Sequence, residues 1–233
     1  MARLFDRNMF IMLLSVMIGI VIITYFIGDI VNRSKIEEIK KDYGVEITDI
    51  NVKNEQFTSH FIESTVSLDQ ARDRLALGDY NYKLAFLWYY SALNENNITD
   101  FNLFKIRGVD NCSKAIPVYQ KSAINFNLAE SFFRDTKNYT SYYKYLEILD
   151  LYINLTKSGY NLTLLKEEAC NYLQILIENL IIDEQTGNVT YLGNVSDTLR
   201  LLDEALLLID DLEEGYERCQ DYIDDYLFFD EIR

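Results

Sequence analysis

The chain has 233 residues, is 49% hydrophobic, and carries 37 acidic against 22 basic residues for a net charge of −15. A surface this acidic repels phosphate backbones and anionic lipid headgroups, which argues against nucleic acid as a partner and against docking through basic patches. With one proline and nine glycines, the composition is that of helices, and the fold class expected is all-α.

The first predicted element is Met9 to Gly28, MFIMLLSVMIGIVIITYFIG, 20 residues without a charge between Arg7 and Asp29. At about 1.5 Å per residue such a helix is roughly 30 Å long, the thickness of a bilayer's hydrocarbon core. It runs on into Asp29, Ile30, Val31, Asn32 and Arg33 with no small-residue cleavage site. We therefore read residues 9–28 as an uncleaved signal-anchor in contact with membrane lipid, preceded by a short basic tail at residues 1–8. Its flanks leave orientation open. Arg3 and Arg7 precede it, while Arg33, Lys35, Lys40 and Lys41 follow, a count that favours a cytoplasmic C-terminal side. Long domains translocate largely regardless of that count.

Residues 29–63 are expected to form a stalk helix with Ile30, Ile36 and Ile39 at helical spacing, stopped by Gly44, and then an extended linker. The α-helical domain is expected over residues 64–233. Ser67 with Gln70 matches a capping box, and Leu68, Ala71, Leu75 and Leu77 fit one helix face up to a break at Gly78 and Asp79. A second helix follows from Tyr82 to Leu93. A third is expected from about Ser113 to Arg134 with Pro117 in its first turn, a fourth over Ser141–Asn154, and a fifth over Leu162–Ile182. The last starts at Ser196 or Asp197, typical N-cap residues. In it Leu202, Ala205, Ile209, Leu212, Tyr216, Cys219, Ile223 and Tyr226 alternate three- and four-residue steps, a coiled-coil-grade seam. The expectation is a bundle of about six helices, the seam packing either inside it or against a partner or second copy. Asp197 to Arg233 holds 13 acidic and 3 basic residues, which is −10 of the total −15.

Ala71 to Leu93, ARDRLALGDYNYKLAFLWYYSAL, resembles a tetratricopeptide-type helical hairpin through Leu77-Gly78-Asp79-Tyr80 at a turn, then Ala85, Trp88 or Tyr89, and Ala92-Leu93. The resemblance implies a hairpin of helices, with peptide binding as its functional implication. It covers this stretch alone, without a second copy or a closing proline. Richness in Ile, Asn, Lys and Tyr beside one N-terminal anchor also resembles single-pass membrane proteins of archaea with AT-rich genomes.

Seven Asn-x-Ser/Thr sequons occur, at Asn97, Asn111, Asn138, Asn154, Asn161, Asn188 and Asn194, where chance gives roughly two. The excess favours an extracytoplasmic domain with these asparagines as glycan acceptors. Helix caps and turns also enrich such triplets. Cys112, Cys170 and Cys219 are far apart and have no neighbouring histidine, which argues against a zinc site; three buried thiols, or one disulfide and one free thiol, both fit. His60 is the only histidine and falls in the expected linker. No phosphate-binding glycine loop, nucleophile elbow or HExxH helix is present. The pairs Glu167-Glu168, Asp210-Asp211, Glu213-Glu214 and Asp224-Asp225 point about 100° apart on a helix and read as solvated faces with at most diffuse cation association. No catalytic, cofactor-binding or metal-ligating residue is therefore assigned, and no small-molecule ligand is indicated. The 18 tyrosines, densest at Tyr142, Tyr143 and Tyr145, suit either core packing or an interface. The expected role is an interaction or assembly module held at the cell membrane and facing outward. The alternatives are a structural coiled-coil oligomer and a cytoplasmic membrane-anchored adaptor.

Overall fold

The computed structural model describes the backbone of residues 2–226 and the side chains of residues 35, 37, 40, 41, 43, 44 and 50–226. Its elements are α1 (Ala2–Leu93), α2 (Ile98–Thr136), a 3-10 turn (Lys137–Tyr139), α3 (Tyr143–Glu178), β1 (Leu180–Ile182), β2 (Val189–Tyr191) and α4 (Ser196–Asp224). Two compact units divide the chain, Met1–Lys53 and Asn54–Arg233. The described backbone of the first is helical throughout. Both the expected anchor, residues 9–28, and the tail before it lie outside the residues whose side chains are described. Among the described residues no helix is long and apolar enough to cross a membrane.

The second unit is a helical bundle with one small hairpin. Its class is all-α as expected, but the described residues form four α-helices rather than six. The first merger is at Gly78. Buried positions Leu68, Ala71, Leu75, Gly78, Tyr82, Ala85, Tyr89 and Ala92 alternate steps of three and four along α1, so one apolar stripe runs through the supposed turn. Gly78 is there to be small. A Cβ on it would lie 2.5 Å from the Tyr119 ring, which occupies the space a side chain would need. Leu77–Tyr80 therefore make no hairpin turn, and Ser67 and Gln70, inside the helix, cap nothing. The expected linker fails for a related reason. Residues 45–63 are helical, and Phe57 and Phe61, four apart, pack against the core and reward that conformation with burial.

In α2 the expected start near Ser113 is too late. The side chain of Asn97 accepts the Thr99 amide at 2.8 Å and caps the helix there, so Pro117 sits in the interior. Pro117 is on the exposed face, where the Ser113 carbonyl it leaves unpaired can meet water. Gly108, Cys112, Ala115, Tyr119, Ser122, Phe126, Ala129, Phe133 and Thr136 form its buried stripe, again in fours and threes. They face α3, which spans the fourth and fifth expected helices. Thr156, Gly159, Thr163, Lys166, Cys170, Leu173 and Ile177 make the opposing stripe. The two run antiparallel: Gly108 lies against Ile177, Gln120 donates to Glu167 at 2.7 Å, Gly159 lies under the Phe126 ring, and Phe133 stacks on Tyr152 at 4.7 Å. Each fully buried phenylalanine contributes about 1.5–3 kcal/mol of apolar transfer. Ser122 ties α2 to α1 by donating to the Ala71 carbonyl at 2.7 Å.

The fifth expected helix stops at Glu178 because the chain there enters a hairpin, with Leu180 opposite Tyr191 and Ile182 opposite Val189. Its turn is set by Asp183, whose Oδ1 accepts the Gln185 and Thr186 amides at 2.7 and 3.0 Å, and by Gly187 at φ +71°. Such a left-handed residue is cheap only for glycine. These amides hold the Asp183 carboxyl below its ordinary range, Thr186 first and Gln185 next. Then α4 begins at Ser196 as expected, but the N-cap is Val195 and the capping oxygen is that of Asn194, which accepts the Ser196 amide at 3.0 Å.

Candidate functional site

The helices leave a cleft of about 370 Å³ lined by Phe57, Thr58, Phe61 and Ile62 of α1, Tyr145, Ile148 and Tyr152 of α3, and Ile223, Asp224 and Tyr226 at the end of α4. Its walls follow from helical spacing. Phe57 and Phe61 lie one turn apart, as do Thr58 and Ile62, while Tyr145, Ile148 and Tyr152 repeat at three and four. The rings brace one another: Phe57 stacks on Tyr145 at 5.0 Å, Phe61 meets Tyr152 edge-on at 5.7 Å, and Tyr142 meets Tyr145 edge-on at 5.1 Å. Tyr226 closes one end, its hydroxyl donating its single proton to Glu147 at 3.0 Å with the Lys144 carbonyl 3.3 Å away. Burial first, then the Glu147 carboxylate, hold its hydroxyl above the ordinary tyrosine range. Burial raises Tyr152 likewise, with Arg72 opposing. Ile62 stands 54% exposed on the rim. Asp224 supplies the one carboxylate among the described lining side chains. Apolar walls, rigid rings and a single rim charge suit an apolar side chain flanked by a cation.

A second cluster is internal. Lys166, with 6% of its side chain exposed, donates to both oxygens of Asp79 at 2.9 and 2.8 Å and meets Glu213 at 2.6 Å, joining α3 to α1 and α4. Tyr119 donates to the same Asp79 at 2.8 Å. Burial, and then the Asp79 charge, keep the Tyr119 hydroxyl far above its ordinary range, so it serves as a donor. A buried cation met by two carboxylates from different helices fixes their register. Asp79 and Glu213 both belong to pairs or breaks that the residue pattern assigns to solvent.

Of the two readings of the α4 seam, packing within the chain is the one the fold displays. Leu202, Ala205 and Ile209 are buried, and Leu212, Tyr216, Cys219 and Ile223 pack against the same core, while Tyr226 goes to the cleft. The sequons divide. Asn97, Asn138, Asn188 and Asn194 are exposed at turns and caps, Asn154 and Asn161 are exposed along α3, and Asn111 is buried in α2 with its amide on the Arg107 carbonyl. His60, expected in a solvated linker, instead lies on α1 stacked on Tyr139 at 5.0 Å, its Nδ1 3.8 Å from Glu63. Of the tyrosine group, Tyr142 and Tyr143 face solvent and Tyr145 enters the cleft. Phe57, Phe61, Tyr152 and Ile223 come together from segments that sequence reasoning treats as unrelated. Four-residue spacing of Phe57 and Phe61 is the one signal that could have pointed there. Among the described residues no group of three or more His, Cys, Asp or Glu is placed to hold a metal ion.

Set against protein-family models, curated proteins and solved structures, the chain matches none of them.

Proposed function

We propose that this chain is a single-pass membrane protein whose helical unit is an extracytoplasmic docking module, taking an apolar segment of a partner protein into the aromatic cleft. The observation that carries the reading is the cleft itself, where Phe57, Phe61, Tyr145 and Tyr152 are braced against each other around an open volume. Rigid rings cost little entropy when they meet a partner, and a carboxylate at the rim, Asp224, adds a preference for a flanking cation. The charge-free run at residues 9–28 supports the anchor, and the sequon excess supports the outward orientation.

A photo-crosslinking residue placed at Ile62, on the rim, is expected to give a discrete adduct in intact cells, while one at Leu207, exposed on α4 away from the cleft lining, gives none. Equal labelling at both positions, or none at Ile62, sinks the docking role. Protease added to intact cells is expected to remove the helical unit; complete protection refutes the orientation independently of the cleft.

A further inference from the structure

Two of the three cysteines that lie far apart in sequence meet in the core. Cys112 on α2 and Cys170 on α3 are both fully buried, and the Cys170 thiol donates weakly to the main-chain oxygen of Cys112 at 3.8 Å. The helix pairing around them is tight. Gly108, one turn before Cys112, would press a Cβ to 3.0 Å from Ile177, and Ala115 and Ala169, both without exposed surface, flank the pair. A sulfur on one helix that touches the backbone of the other, at the very residue bearing the second sulfur, makes the two thiols neighbours across the helix pair. Cys219, by contrast, is half-buried on α4.

We propose that Cys112 and Cys170 are a disulfide site that cross-links α2 to α3 when the chain folds in an oxidising compartment. The bond forms by thiol–disulfide exchange with a small or protein disulfide such as oxidised glutathione. The thiolate of one cysteine displaces one thiol from that oxidant to give a mixed disulfide, and the second cysteine then displaces the other. The two cysteines lose two electrons and two protons, and the oxidant leaves as two thiols. In the finished fold the contact with Cys112, and then burial, keep the Cys170 thiol far above its ordinary range. Exchange is therefore closed in the native state, and the bond is made while the helices dock.

Joining residues 112 and 170 closes a loop of roughly 60 residues, which raises the folding equilibrium constant on the order of a thousandfold and lifts Tm by roughly 10 °C. The test uses the full chain in nonionic detergent, unfolded in urea with reductant and refolded in a glutathione redox buffer, then alkylated and mapped by mass spectrometry. The expected product is a Cys112–Cys170 cross-linked peptide with Cys219 alkylated, and a Tm that falls on reduction. The Cys112→Ala/Cys170→Ala double variant is expected to fold with the same helix content and lose that redox dependence. Recovery of folded protein with both Cys112 and Cys170 alkylated overturns the proposal, as does cross-linking to Cys219 at equal yield. Neither result bears on the cleft.

Discussion

Replacing Gly78 with alanine sets two effects of known size against each other. Alanine is favoured over glycine inside a helix by about 1 kcal/mol, so on propensity alone the variant is more stable. The added methyl, however, would fall 2.5 Å from one Tyr119 ring carbon and 2.7 Å from the next. That ring has no exposed surface and its hydroxyl is fixed on Asp79 at 2.8 Å, so it cannot swing away without losing the bond. Overpacking of this kind costs about 1–3 kcal/mol, and weakening a hydrogen bond to a carboxylate adds about 1.5 kcal/mol more. The clash wins, and Gly78→Ala is expected to lose roughly 1.5–3.5 kcal/mol net. Gly215→Ala on α4, whose new Cβ meets nothing within 4 Å, is the control and is expected to gain up to about 1 kcal/mol. The assay is urea unfolding of the full chain in detergent, followed by far-ultraviolet circular dichroism. Adding Tyr119→Leu should turn the Gly78→Ala change from harmful toward neutral, because the obstructing ring is gone. If Gly78→Ala stabilises as much as Gly215→Ala, the close approach of α1 and α2 is refuted.

Lys166→Met removes the only cation bonded to Asp79 among the described contacts and is expected to cost about 3 kcal/mol, the lower end for a broken buried pair because Asp79 and Glu213 keep some solvent. A double-mutant cycle with Asp79→Asn should show strong non-additivity, and simple additivity would refute the cluster. Tyr82, Tyr89 and Tyr119 are all held above the ordinary tyrosine range, chiefly by burial. Their raised values mean that the fold keeps protons which the unfolded chain releases, so stability is intact below about pH 10 and falls as pH rises beyond it. Ultraviolet titration should find these three ionising only together with loss of helicity. Asp183 carries the opposite sign: its depressed carboxyl stabilises the hairpin above about pH 4, and that contribution fades as pH falls through the folded value. The protection factors of the Gln185 and Thr186 amides, corrected for intrinsic exchange, should fall in acid, and Asp183→Asn should remove that pH dependence. Glycan mapping of material made in a glycosylating host should find sugar on Asn188 or Asn194 and none on Asn111, whose buried amide leaves no room for it.

Helical content was legible because it is local. Scarce proline and glycine, and the three-and-four spacing of α4, report it directly. Where helices end was not legible, since a glycine that breaks a helix and one that admits a neighbouring ring look identical until Tyr119 is in place beside Gly78. By its sequon Asn97 marks a glycan acceptor, and Pro117 shortly after Ser113 suits a first turn. In the fold Asn97 is also the cap of α2 and Pro117 lies in its interior, and both follow from one helix start. The cleft was illegible for a different reason: Phe57, Tyr145 and Ile223 meet only through packing of α1, α3 and α4, which no spacing within a segment encodes. Lys166 was likewise silent, an ordinary lysine in sequence until Asp79 and Glu213 converge on it.

The alternating stripes on α1, α2, α3 and α4 also constrain how this architecture can change in length. Inserting seven residues into a helix returns the stripe to within about 20° of its old direction, whereas five turn everything beyond them through roughly 140°. Matched seven-residue additions to α2 and α3 would lengthen the bundle and leave Tyr119, Lys166 and Phe126 facing inward. A five-residue insertion in either would carry half its apolar stripe into water. Descendants of such a chain can therefore grow or shrink by pairs of turns, so length variation among them should be punctuated rather than continuous.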